Sequence, residues 1–152
     1  MIKLLIVLFL FILDILTKKF VFNTIDLNNF VTLTFFLDLT HIHNFGISFG
    51  LFSGMLSPWV FIFIALIVTG FIFYMMILAK NSIEKWGLIF IITGAISNIF
   101  DRLMNGYVID FIYFHFRDFY WPAFNFADIY ISIGICIILF QFLKDLNKRI
   151  IK

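Results

Sequence analysis

Four membrane-spanning helices carrying a small extracytoplasmic sheet are the architecture that this chain of 152 residues predicts. Composition is the first reason: 63% of the residues are hydrophobic and only 13% charged, against roughly 45–50% and about 25% in soluble domains. The second reason is a set of four long apolar segments, and the third is an uneven distribution of Lys and Arg around them. The length suits one domain, and residues 1–152 read as a single membrane-embedded unit. A water-soluble enzyme and a disordered tail are excluded, because there is too little polar surface to cover the chain in water. A nucleic-acid binder is excluded too, since 11 basic and 9 acidic residues make no basic face. One cysteine, Cys136, allows neither an intramolecular disulfide nor a cysteine-based zinc site.

A spanning helix needs about 20 mostly apolar residues to cross roughly 30 Å of hydrocarbon. The first candidate covers about residues 4–22 and contains Asp14 and Lys18. Its start, Lys3 followed by an apolar run, imitates a signal peptide, but no small-x-small cleavage site follows, so it reads as an uncleaved helix. Next, Phe30–Phe36 is rich in β-branched and aromatic residues and predicts a strand. The stretch His43–Gly54 holds three glycines and predicts turns. The sheet is therefore expected between the first two helices. The second span, 56–79, is uncharged, with Pro58 near its start, where a missing N–H costs nothing. The third, about 86–104, carries Asn98, Asp101 and Arg102, and the fourth, about 124–143, carries Asn125 and Asp128.

Orientation follows from the basic residues. With four spans both termini share a side with the loop Lys80–Lys85, and that side collects 7 of the 11 Lys and Arg. It is expected to be cytoplasmic, which places residues 23–57 and 105–123 outside. The basic tail from Lys144 to Lys152 reads as a topology signal resting on anionic lipid headgroups.

Ionisable residues inside a span are costly and therefore suggest function. In this topology Asp14 and Lys18 fall in the outer half of the first helix. Asn98, Asp101 and Arg102 fall in the last turns of the third, and Asn125 and Asp128 in the first turns of the fourth. Asp110 follows just beyond the third, so the polar groups meet at one level near the outer boundary. Gly94, Asn98, Asp101 and Arg102 share a helical stripe, on which the glycine permits close helix contact. For Asp14–Lys18 and Asp101–Arg102 the structural reading, ion pairs that lock the bundle, is preferred to a catalytic one. Asp110 and Asp128 have no cation close in sequence. Two carboxylates sharing a pocket hold a proton between them, as peptide hydrolysis by a carboxylate mechanism requires.

Five motifs sharpen this picture. Asp14-Ile-Leu-Thr-Lys18 resembles D-x-x-T-K of lipoprotein signal peptidases (signal peptidase II), and His43-Asn-Phe-Gly-Ile-Ser-Phe-Gly50 resembles their N-x-G-x-x-F-G. Gly94-Ala-Ile-Ser-Asn-Ile-Phe-Asp-Arg102 is similar to G-x-x-G-N-x-x-D-R, with Ser97 where the family usually has Gly. Gly106-Tyr-Val-Ile-Asp-Phe111 resembles G-x-V-V-D-F. Trp121-Pro-Ala-Phe-Asn-Phe-Ala-Asp128 resembles W-P-x-F-N-x-A-D, with Phe126 where Val is common. The motifs run in the family's order over residues 14–128.

The resemblance implies a peptidase domain with four spans, a β-cradle, and an aspartic site at the outer boundary of the bacterial cytoplasmic (inner) membrane. It implies Asp110 and Asp128 as the catalytic pair, supported by Asp14, Lys18, Asn44, Gly46, Asn98, Asp101, Arg102 and Asn125. The implied substrate is a prolipoprotein whose cysteine already bears diacylglycerol, cut just before that cysteine. The expected partners are that substrate and membrane lipids; no cofactor or metal is expected, and the chain is expected to act as a monomer.

Other readings compete. Gly46-Ile-Ser-Phe-Gly50 fits G-x-S-x-G, which would make Ser48 a nucleophile, but a further glycine and then a Pro-initiated span follow it in place of the required helix. His41 and His43, two apart on a strand, would need His115 or an aspartate to hold zinc, and no H-E-x-x-H occurs. Cys136 reads as a small packing residue. A small transporter or non-enzymatic membrane subunit with a buried acidic ion or proton site is the alternative from a different class; it would place its acids near the midplane.

Overall fold

The computed structural model describes residues 2–47 and 51–150. The element order is α1 (Ile2–Thr24), β1 (Phe30–Thr34), β2 (Leu37–Asn44), α2 (Pro58–Leu78), α3 (Ser82–Asn105), β3 (Val108–Phe116), β4 (Phe119–Tyr120) and α4 (Phe126–Ile150). Among the described residues three helices are long and apolar enough to cross a membrane: α2, α3 and residues Phe126–Lys148 of α4. Helix α1, at 23 residues, is about 34 Å long but carries Lys3, Asp14, Lys18 and Lys19. Large apolar side chains are exposed along all four helices, among them Phe9, Phe63, Phe71 and Phe140.

Local chemistry sets the helix ends. Ser57 caps α2, its hydroxyl accepting from the Trp59 N–H, with Pro58 in the first turn. Asn81 caps α3 through the Ile83 N–H, so α3 begins four residues earlier than the apolar run from Trp86. Gly106 ends α3 in the left-handed region at φ 83°, its N–H bonding to Arg102 O. Glycine takes that conformation at no steric cost, and the turn sends the chain straight into β3.

The sheet corrects the sequence expectation. It is antiparallel in the order β1-β2-β3-β4, so half of it comes from the segment between α3 and α4 rather than from the α1–α2 connection alone. Strand β2 pairs with β3 in a register that sets Ile42 opposite Asp110 and Asn44 opposite Val108. The segment entering α4 adds to the other edge, where Phe111 and Ile112 N–H both donate to Phe124 O. Val21, Ile25, Ile109 and Phe111 form the buried core between α1 and the sheet.

Helices α3 and α4 pack through glycine. A Cβ at Gly134 would lie 2.5 Å from Gly87 O, and one at Gly94 would collide with Ala127 O. Gly70 on α2 faces open space. Gly134→Val is therefore expected to cost about 1–3 kcal/mol by overpacking, lowering the thermal midpoint in detergent by several degrees. Gly70→Ala is the control, with an unchanged or slightly raised midpoint; equal behaviour of the two variants would contradict the packing.

Candidate active site

The site is built around the amino terminus of α4. Asn125 precedes the helix, and its Oδ1 accepts from the Asp128 N–H at 3.0 Å. Asp128 returns the contact, its Oδ2 accepting from the Asn125 N–H at 3.3 Å. This reciprocal pair is a capping box, which is the physical reason for the three-residue spacing. A further free N–H of the first turn, that of Ala127, donates to Asp14 Oδ1 at 3.0 Å.

Asp110 reaches the same place from β3. Its Oδ1 accepts from Asn125 Nδ2 at 2.6 Å and its Oδ2 from Asn44 Nδ2 at 2.9 Å. Asn125 thus touches both carboxylates. Asn98 of α3 donates from Nδ2 to Asp128 Oδ1 at 2.9 Å. Asn44 in turn accepts from the Gly46 N–H at 2.9 Å, and Arg102 donates to Gly46 O at 2.7 Å, pinning the turn after β2 over the pair.

Behind this layer lies a buried ionic cluster. Lys18, 1% exposed, bonds Asp14 Oδ2 at 2.7 Å, Asp101 Oδ2 at 2.9 Å and Asn98 Oδ1 at 3.0 Å. The Asp14–Lys18 ion pair expected from the sequence forms; the Asp101–Arg102 pair does not. Consecutive helical residues point in different directions, so Asp101 turns to Lys18 and to the Ile109 N–H. Arg102 turns instead to Gly46 O and Asn98 O.

All ten residues singled out from the sequence therefore meet in one hydrogen-bonded network. Ser97 is an addition: its hydroxyl donates to Asp14 Oδ2 at 2.6 Å, a bond that a glycine there could not make. Ser48 lies outside the described residues. His41 and His43 do share a face, with Nε2 atoms 3.0 Å apart, but His115 sits elsewhere beside Asp38 at 3.2 Å. Burial, and then His41, hold the His43 ring below its ordinary pKa. Among the described residues no three His, Cys, Asp or Glu side chains are arranged to hold a metal. Cys136 is exposed on α4, where a packed position was expected.

Two apolar grooves meet at Asp128. One, of about 400 Å³, lies between α2, α3 and α4; Asn44, Arg102 and Asp110 line its polar end and Val68, Ile72 and Ile91 its apolar part. The other, of about 790 Å³, follows α4 from Trp121 and Phe124 down to Phe140. Burial, and then the nearby Asp128 charge, push the Asp110 carboxyl up to about 7.

Such a structure defines a class: a membrane protein sheltering a titratable polar site where its apolar helices meet a small sheet. The sequence profile described as signal peptidase (SPase) II matches residues 6–144. The lipoprotein signal peptidase of Thermodesulfovibrio yellowstonii is 42% identical over 134 residues, covering 88% of each chain. That of Wigglesworthia glossinidia brevipalpis is 38% identical over 148 residues, covering 96% of this chain and 93% of its own. Two solved structures described as bacterial membrane enzymes are similar throughout. Their TM-scores are 0.87 and 0.82, at 29% and 28% identity, over 96% and 94% of this chain and 90% and 93% of theirs. The chain belongs to the signal peptidase II family: it is a peptidase and a bacterial membrane protein.

The Asp110 environment has a consequence for stability. The carboxyl is raised from 3.8 to about 7 in the folded chain. The unfolded chain therefore releases this proton first, and the group's cost to folding grows as pH rises from about 4 to about 7, reaching roughly 4 kcal/mol. Asp110→Asn removes that pH-dependent cost. Its thermal midpoint relative to wild type is expected to be more favourable at about pH 8.5 than at about pH 4.5; a difference independent of pH would count against the raised carboxyl.

Proposed function

We propose that this protein removes signal peptides from diacylglyceryl-modified prolipoproteins by an aspartic mechanism. The cut falls just before the lipidated cysteine, and Asp110 and Asp128 are the catalytic pair. The observation that carries this reading is the two carboxylates, Asp110 buried and Asp128 half-buried, tied together by Asn125 at the polar end of an apolar groove. Hydrolysis of a peptide bond by a carboxylate mechanism needs one carboxylate to accept a proton and one carboxylic acid to donate one.

Asp128 is assigned the ionised role. It sits in the first turn of α4, where the helix dipole favours negative charge. Asp110 is assigned the protonated role, consistent with its raised carboxyl. A water between them gives a proton to Asp128 while its oxygen bonds the scissile carbonyl carbon, and Asp110 protonates the carbonyl oxygen. In the second half Asp128 returns its proton to the amide nitrogen as the C–N bond breaks. Asp110 recovers its own from the gem-diol, leaving a carboxyl on the signal peptide and an amine on the cysteine. Asn44, Asn125 and Arg102 supply hydrogen-bond donors to the substrate backbone and the developing oxyanion.

The same reading completes the topology. Helix α1 is the fourth span: Asp14 and Lys18 face inward and are buried, Lys3 and Lys19 are exposed towards its two ends, and its apolar face meets lipid. Both termini lie on the cytoplasmic side, the pair lies at the outer boundary, and one chain forms one domain with a complete site. A substrate there keeps its acyl chains in the bilayer while the scissile bond enters the polar end of the groove.

The test is cleavage of a diacylglyceryl-modified prolipoprotein by purified protein in detergent. Asp110→Asn and Asp128→Asn should each lose about 10³-fold or more in rate while remaining folded; substantial activity in either would sink the pair. The rate–pH profile should be bell-shaped. Its alkaline limb should fall near pH 7, where Asp110 surrenders the proton that the mechanism needs. Activity should survive EDTA, and an unlipidated substrate should remain uncut.

A further inference from the structure

Three asparagines present amide nitrogens to the two carboxylates: Asn44 and Asn125 to Asp110, and Asn98 to Asp128. An amide presents a donor in a given direction only if something fixes which way it faces, because its two ends are nearly the same shape. For Asn44 the Gly46 N–H holds Oδ1, and for Asn125 the Asp128 N–H does so. Both of those are backbone groups. For Asn98 the donor on Oδ1 is a side chain, the Lys18 ammonium at 3.0 Å.

Lys18 is well suited to that task. An ammonium has three protons and accepts nothing, and Asp14, Asp101 and Asn98 provide three acceptors, at 2.7, 2.9 and 3.0 Å. The carboxylates come from α1 and α3, so the charge is clamped between two helices and its remaining proton has one direction left. A reversed Asn98 would set its NH2 against the ammonium and its oxygen against Asp128 Oδ1, two repulsions in place of two bonds. Lys18 lines neither groove, so it has no path to the substrate except through its neighbours.

We infer that Lys18 is a positioning residue for the cleavage reaction, acting through Asn98 to present a fixed donor to Asp128. The inference rests on the aspartic reading above and gives Lys18, an ion-pair partner and supporting residue in the sequence reading, a specific route of action through Asn98. With Lys18 removed, Asn98 is free to turn, and Asp128 loses the contact that aims it at the attacking water.

The experiment compares kcat and KM for a diacylglyceryl-modified prolipoprotein in wild type, Lys18→Met, Asn98→Ala and the double variant. Lys18→Met should lower kcat by about 10- to 100-fold while KM stays within about twofold. In the Asn98→Ala background it should add less than about threefold, because the two residues act in series. Equal losses in the two backgrounds, or a loss carried by KM, would overturn the route through Asn98. Lys18→Met alone leaves Asp14 and Asp101 without their cation, so the four proteins are also made with Asp101→Asn present throughout. That set removes a buried negative charge together with the positive one, and the same series behaviour is expected in it. Absence of cleavage by folded wild type would remove the aspartic reading itself; active wild type with independent losses would remove only the role of Lys18.

Discussion

The free N–H groups at the amino terminus of α4 need partners, and the polar cluster of the site is arranged around that need. A helix leaves its first N–H groups without internal acceptors, and apolar surroundings provide no water to replace them. Asn125 answers one and Asp14 another. Each answer creates a further requirement: a buried Asp14 carboxylate is costly unless compensated, and Lys18 and Ser97 compensate it. A buried Lys18 in turn needs further acceptors, which Asp101 and Asn98 provide. The chain of obligations ends on Asp128, back at the helix where it began.

Close approach of α3 to α4 makes this network possible. Asn98 reaches Asp128 directly because Gly94, one turn earlier on α3, lets the backbone meet Ala127 without an intervening side chain. The turn at Gly106 performs the complementary task, reversing α3 into β3 so that Asp110 returns over the end of the helix it has just left. Asp101 fastens that return through the Ile109 N–H, one residue before Asp110. The spacing between Asp101 and Asp110 is thus one helix end, one left-handed glycine and the start of one strand.

The apolar spans and the clustering of polar residues were legible in the sequence, because burial in lipid leaves so few positions where charge is tolerable. The capping box was legible in principle: Asn125 and Asp128 stand at its spacing, although the same spacing also describes one face of a helix. Strand β3 was not legible, since Val108–Phe116 is a nearly continuous apolar run whose identity depends on β2 beside it. The partner of Asp101 was hidden for a related reason. Adjacency to Arg102 suggested a pair, but helical geometry sends neighbours apart, and the true partner is far away in sequence on α1. Nor did Ser97 advertise its bond to Asp14, because a helical serine more often bonds its own backbone.

The asymmetry between the two aspartates follows from the elements that carry them. Asp128 belongs to the first turn of a long helix, where the summed peptide dipoles and a backbone N–H favour a negative charge. Asp110 belongs to a strand buried along its first half, and a strand contributes little net dipole. Each receives amide donors from asparagine, so hydrogen bonding alone does not separate them. What separates them is that one carboxylate lies on a helix terminus and the other does not. In the proposed reaction this difference in secondary structure is what assigns the acid role to Asp110 and the base role to Asp128. Arg102, close by in the same groove, holds the Gly46 carbonyl and the turn above the pair.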